Sequence, residues 1–142
     1  MKKGLVFIAT ILFVLGVTID TAYGTNGKGK VGAKIVFVQS THEFGTVKQN
    51  GPCENTFVYK NKGDEPLVVN KVLTSCGCVG TTVGNNVTLP GAKGTIKVKY
   101  NTSLTGDFRK MIVVKTNSKY NSNVVLTISG KVVASKTKKT KH

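Results

Sequence analysis

Three cysteines hold the best-placed chemistry in this sequence: Cys53, and the pair within Cys76-Gly77-Cys78. In an extended segment alternate side chains point the same way, so Cys76 and Cys78 face one space, and Gly77 adds no side chain between them. In an oxidising compartment the default fate of such thiols is a structural disulfide. A bridge within Cys-x-Cys closes a tight ring, and departure from preferred geometry makes a bond easier to reduce, which opens a redox role. If the strands on either side of the turn at 61–66 run antiparallel, Cys53 reaches the same end of the fold and three sulfurs can gather. Three thiolates would suit copper as Cu(I), or zinc. A metal site ordinarily adds a histidine or a fourth cysteine, and His42 is the only histidine within the strand-forming region. An odd count leaves one thiol free after one bridge. The pattern favours a structural bridge or buried packing cysteines. Thiol exchange and soft-metal binding are the alternatives, and no metal ligand set and no cofactor is assigned.

The other polar residues form no catalytic set. His42 and Glu43 are adjacent in an extended run, so their side chains point to opposite faces and do not act as a pair. The carboxylates Glu43, Glu54, Asp64, Glu65 and Asp107 are few. Asp64 and Glu65 fall in a turn and Asp107 follows Gly106, where acidic side chains shape the backbone. Ser75 lacks the Gly-x-Ser-x-Gly elbow and the helix that follows it in hydrolases. The expectation is a protein that is not an enzyme. Asn86-Val87-Thr88 and Asn101-Thr102-Ser103 match glycosylation acceptors, a triplet that also arises readily by chance.

The elements that must position the cysteines are strands. From Lys34 onward, β-branched and aromatic residues recur in short runs punctuated by Gly, Asn, Asp and Pro about every ten residues. No stretch keeps the three-to-four spacing of a helix. Strands are expected at 34–38, 43–48, 54–60, 67–74, 94–101, 108–116 and 123–133, with short irregular pairing between Val79 and Leu89. Phe57 and Tyr59, then Ile96, Val98 and Tyr100, then Leu126 and Ile128 alternate with Val58, Lys97, Lys99 and Thr127, one face inward and one to water. Asn61 to Pro66 reads as a turn, and Leu89-Pro90-Gly91 supplies Pro and Gly to a type II turn. Seven such strands fit an all-β fold, an immunoglobulin-like antiparallel β-sandwich of about seven strands, spanning residues 34–134.

The flanks differ in character. Met1-Lys2-Lys3, an apolar stretch from Leu5 to Val17 and Ala22-Tyr23-Gly24 have the order of a secretory signal peptide, residues 1–24, cut after Gly24. The apolar part is too short for the roughly 20 residues of a spanning helix, and no second run of that length follows. Residues 25–33 are rich in Gly and Lys and read as a flexible leader. Residues 135–142 form a basic, disordered tail. The chain carries a formal charge of +15, and loss of Lys2, Lys3 and Asp20 with the signal would leave +14. Such a surface attracts anionic partners. For an exported protein, periplasmic or secreted, these are envelope proteins or anionic surface components. Nucleic acid is not expected, because the aromatics fall at core positions and offer no stacking platform.

His42-Glu43-Phe44-Gly45-Thr46-Val47, Asn55 to Leu67, Thr74-Ser75-Cys76-Gly77-Cys78 and Leu89-Pro90-Gly91 together resemble the bacterial domain-of-unknown-function 1573 family over roughly residues 42–133. Val79 departs from the polar residue usual after the second cysteine, and Cys53 lies outside the motif. The resemblance implies an immunoglobulin-like domain, similar to those of pilus chaperones and cilium-associated proteins, an envelope or secreted setting, and no assigned activity. The expected role is a non-catalytic binding or structural module. Contacts are expected from the loop at Cys76 to Val83 and from Lys136, Lys138, Lys139 and Lys141, with a thiol protein acting through Cys53, Cys76 and Cys78 as the alternative.

Overall fold

A computed structural model of the chain describes residues 29–136. The signal segment 1–24, residues 25–28 of the leader, and Lys138, Lys139 and Lys141 lie outside the described residues. Nine strands run in chain order: β1 (Ile35–Phe37), β2 (Thr41–Lys48), β3 (Glu54–Asn61), β4 (Leu67–Thr74), β5 (Val79–Val83), β6 (Val87–Thr88), β7 (Lys93–Tyr100), β8 (Gly106–Thr116) and β9 (Asn123–Val133). Seven correspond to the expected strands. The other two, β5 and β6, resolve the irregular stretch after Val79 into short pairings.

The strands form two sheets, β1-β3-β7-β5 and β2-β9-β8-β4-β6. All pairings are antiparallel but one: β2 lies parallel to β9. It does so because the chain leaves β1 and enters the opposite sheet after only Val38–Ser40, without reversing through a hairpin. The alternation legible in the sequence sets the core. Phe57, Tyr59, Ile96 and Val98 point inward from the first sheet, and Ile112, Val114, Leu126 and Ile128 from the second, all fully buried. Fully burying a large apolar side chain stabilises by about 1.5–3 kcal/mol each, so these two facing rows dominate the fold.

One turn ties the sheets' open end together. Asn61 is buried, with Nδ2 donating to Glu65 O (2.8 Å) and Thr88 O (3.0 Å) while its Oδ1 accepts from Gly63 N (2.9 Å) and Lys34 N (3.3 Å). Tyr59 completes this cluster, its hydroxyl 3.1 Å from Thr88 Oγ1. Thr88 of the Asn86 triplet and Thr102 of the Asn101 triplet therefore have structural work, Thr102 Oγ1 donating to Gly51 O at 2.7 Å.

The end of the leader differs from its composition. Val31 N and Gly32 N donate to the Asp64 carboxylate at 3.0 and 2.7 Å, and Ala33 is buried. A Gly- and Lys-rich composition gives no sign of an anchor that lies about thirty residues away on a turn. Asp64 thus shapes more than its own turn. Lys136 is exposed at the last described position.

Candidate functional site

The chain between β4 and β5 makes a sharp turn at Cys76-Gly77-Cys78, where the two cysteines form a disulfide with Cα atoms 5.3 Å apart. Thr74 Oγ1 donates to Cys76 O (3.0 Å), and Asn101 N donates to Cys78 O (2.8 Å). Both half-cystines are half-buried and pack against the core. By the chain-entropy argument a bridge closing so short a loop stabilises by only about 1–2 kcal/mol. Its main effect is local: it fixes how the chain enters β5.

Cys53 lies at the same end of the sandwich, as the sequence implied, but not in the same cluster. Tyr100 N donates to Cys53 O (2.9 Å), and Val79 pairs with Tyr100 from the other side. Strand β7 therefore separates Cys53 from the bridge by two strand spacings, about 9–10 Å, beyond the roughly 7 Å at which two Cα atoms can still be joined by a disulfide. Cys53 is free and buried. Burial pushes its thiol pKa up, which keeps it neutral and unreactive. The expectation that three sulfurs could gather is corrected: two are bonded to each other and a strand keeps the third apart. Among the described residues no three His, Cys, Asp or Glu side chains converge as a metal site.

A shallow groove of about 650 Å³ opens beside the bridge, bordered by Gly51, Glu54, Cys78, Gly80, Tyr100 and Asn101. Tyr100 lines it and begins a row of packed aromatic rings. Tyr100 stacks on Phe108 at 3.8 Å, Phe108 meets Phe44 at 6.3 Å, and His42 packs edge-on to Phe44 at 4.5 Å. His42 is thus a half-buried packing residue, and Glu43 points away from it to solvent.

Strand register brings together residues that the sequence alone leaves scattered. On the outer face of the first sheet Lys60 stands directly opposite Lys93, and on the second sheet Lys71 stands opposite Lys115. All four are exposed, and among the described residues none has a carboxylate partner. Like charges directly across a strand pair destabilise a sheet. Lys60 and Lys93, with Lys62, also rim a small groove of about 260 Å³ whose floor includes Val36, Val38 and Val58. By contrast Glu54 neutralises part of its surroundings: Lys97 Nζ lies 2.6 Å and Lys99 Nζ 3.6 Å from its carboxylate. The hydrogen bond and charge of Lys97 lower the Glu54 pKa. The lysine pairs were missed because like charges on strands four apart in sequence, β3 with β7 and β4 with β8, show no local signal; only the pairing register reveals them.

The model of a family described as a protein of unknown function (DUF1573) matches residues 35–132, more than half of the chain. The chain belongs to that family. No curated protein matches it. Its fold recurs in solved structures of low identity. A protein of unknown function from Porphyromonas gingivalis W83 superposes with a TM-score of 0.66 at 10% identity, over 72% of this chain and 48% of that one. The ASH / PapD-like domain 7 of human CEP192 gives 0.53 at 11%, covering 75% of this chain and 88% of that domain. WR4, a Caenorhabditis elegans MSP family member, gives 0.50 at 11%, covering 70% and 97%. The chain spans about half the length of the Porphyromonas protein. These likenesses show the fold, an immunoglobulin-like β-sandwich similar to PapD-like and MSP domains.

Proposed function

We propose that this DUF1573 domain is an exported, non-catalytic binding module of the bacterial envelope that attaches to an anionic envelope component through its lysine-bearing sheet faces. The observation that carries this reading is the opposition of Lys60 to Lys93 and of Lys71 to Lys115 with no carboxylate between them. Each pair costs the free domain stability, about 0.2–1 kcal/mol relative to a neutral or opposite pair. An anionic partner turns that repulsion into attraction. The signal-like N-terminus and the charge of +15 support the setting. The lysines Lys136, Lys138, Lys139 and Lys141 add to that positive charge.

The test is binding of the purified protein to polyglutamate-coated and uncharged surfaces in rising salt. Retention on polyglutamate alone, falling at least about tenfold between roughly 50 and 500 mM salt, is expected because exposed charges are screened within a few ångströms at the upper end. Equal retention on both surfaces, or indifference to salt, would refute it.

A second reading rests on the bridge. A bond that adds little to global stability, at the rim of an open groove, suits thiol–disulfide exchange. Cys76→Ser and Cys78→Ser separate the two: a binding module keeps its affinity for anionic surfaces, whereas a thiol protein loses outright its exchange with a thiol substrate, whose thiolate would open the bridge through a mixed disulfide.

A further inference from the structure

The sandwich has four strand edges, and unpaired edges invite pairing with another chain unless they are blocked. Strand β1 is three residues long, with Asn121 Nδ2 donating to Ile35 O at 3.4 Å, and β6 is two residues long. Strand β2 is longer, but its register shifts between Glu43 and Thr46, Gly45 sits at a φ of 65°, and Glu43 and Lys48 are exposed on it. Strand β5 has none of these defences. Its five residues, Val79–Val83, include no charge and no proline and pair with β7 in unbroken register.

The bonds from Asn101 N to Cys78 O and from Gly84 N to Thr95 O fix the phase of this edge. Positions 78, 80, 82 and 84 face β7, so the N–H and C=O groups of Thr81 and Val83 turn outward. Among the described residues they have no partner. The side chains on the solvent face are those of Gly80, Thr82 and Gly84, hence almost bare backbone. Gly84 is required, since a Cβ there would lie 2.5 Å from Thr95 Oγ1. Gly80 is not: it needs no positive φ, and a Cβ would meet nothing nearer than Lys99 O at 4.0 Å. A glycine weakens a strand, and one that the fold itself does not require marks a place where another backbone comes close.

We propose that the free edge of β5 docks an extended, acidic segment of another protein, which joins the four-stranded sheet as its next strand. The inference rests on the binding-module reading and names the edge it would use. Charge selects the occupant. Thr82 and Gly80 pair with Lys97 and Lys99, two exposed lysines that share the single carboxylate of Glu54 and leave an excess of positive charge one strand away. A second copy of this chain would bring its own Lys97 and Lys99 and a charge of +15 to the same edge. An acidic strand is favoured where a second copy is repelled. Its apolar residues would flank Val79, Thr81 and Val83, and a large side chain opposite Gly80 would cover the vacant space there.

The experiment is residue-resolved amide hydrogen exchange on the full chain, alone and with the blocked peptide acetyl-Asp-Val-Glu-Val-Tyr-Val-amide. The Thr81 and Val83 amides should exchange freely without peptide and at least about tenfold more slowly with it, while Gly80 and Thr82 stay protected throughout. Thr81→Pro removes an outward donor without breaking a bond of the free sheet, and should weaken binding by about tenfold or more. A peptide with Lys in place of both acids should bind about tenfold or more weakly. Protection of Thr81 and Val83 that rises with protein concentration alone would overturn the proposal in favour of self-pairing. Peptide binding that leaves those amides unchanged and tolerates Thr81→Pro would overturn the edge yet leave the basic-surface reading standing. Failure to bind both this peptide and polyglutamate would remove both readings.

Discussion

At the scale of single residues, the fold depends on a few well-bonded polar side chains, Asn61 above all. Buried Asn61 makes four hydrogen bonds that join the start of β1, the turn after β3 and β6. Leucine of similar size would strand several backbone groups, so Asn61→Leu should destabilise by about 2–4 kcal/mol, read as a lower midpoint in urea. Asp64 holds the incoming chain. Burial pushes its carboxyl pKa up, but the N–H groups of Val31, Gly32 and Asp64 itself, helped by Lys30, outweigh this and leave it lowered. A carboxylate with a lowered folded pKa contributes stability that is present above its unfolded value, near pH 4, and is lost as pH falls through the folded pKa. Asp64→Asn should therefore flatten the loss of stability on the acid side of about pH 4, and urea midpoints taken from about pH 6 downward would show it. The bridge is a third case. Cys76→Ser with Cys78→Ser should cost only about 1–2 kcal/mol, and a fall in stability of twice that would mean the bridge holds more than the entrance to β5.

At the scale of elements, most of the sandwich was legible. The period-two spacing of Phe57, Tyr59, Ile96, Val98, Leu126 and Ile128 marks inward faces, and these residues lie in the buried core. Strands β4 and β9 have the bounds that the apolar runs and turn residues imply. Three things could not be read. Strands β5 and β6 are short and built largely of Gly, Thr and Val, so they lack a clear period of two. The parallel course of β2 depends on a sheet change within three residues, which leaves no mark in side-chain type. The separation of Cys53 from Cys78 depends on β7 lying between them, and β7 comes later in the chain than both. For the same reason the pairing of lysines across strands was invisible, although every lysine in it could be seen. The stretch from Cys76 to Val83, expected to act as a contact loop, is the bridged turn followed by strand β5, whose outer edge is where the proposed partner would dock.

At the scale of the whole molecule, a single sandwich carries a strong positive charge and spends part of its stability on holding like charges together. Exposed ion pairs offset little of this: Lys30 with Glu65 at 3.9 Å and Lys131 with Asp107 at 4.0 Å are both in solvent. An arrangement kept for stability would scatter carboxylates among the lysines. This one keeps the outer sheet faces positive, as the proposed attachment to a negative surface requires.

That claim predicts opposite signs for two properties of one variant. Lys93→Glu places a carboxylate opposite Lys60, so chemical denaturation should show a gain of about 0.2–1 kcal/mol. The same variant, titrated onto polyglutamate at low salt, should lose affinity severalfold. Greater stability with weaker binding is the result the account predicts; unchanged binding, whatever the stability, would contradict it.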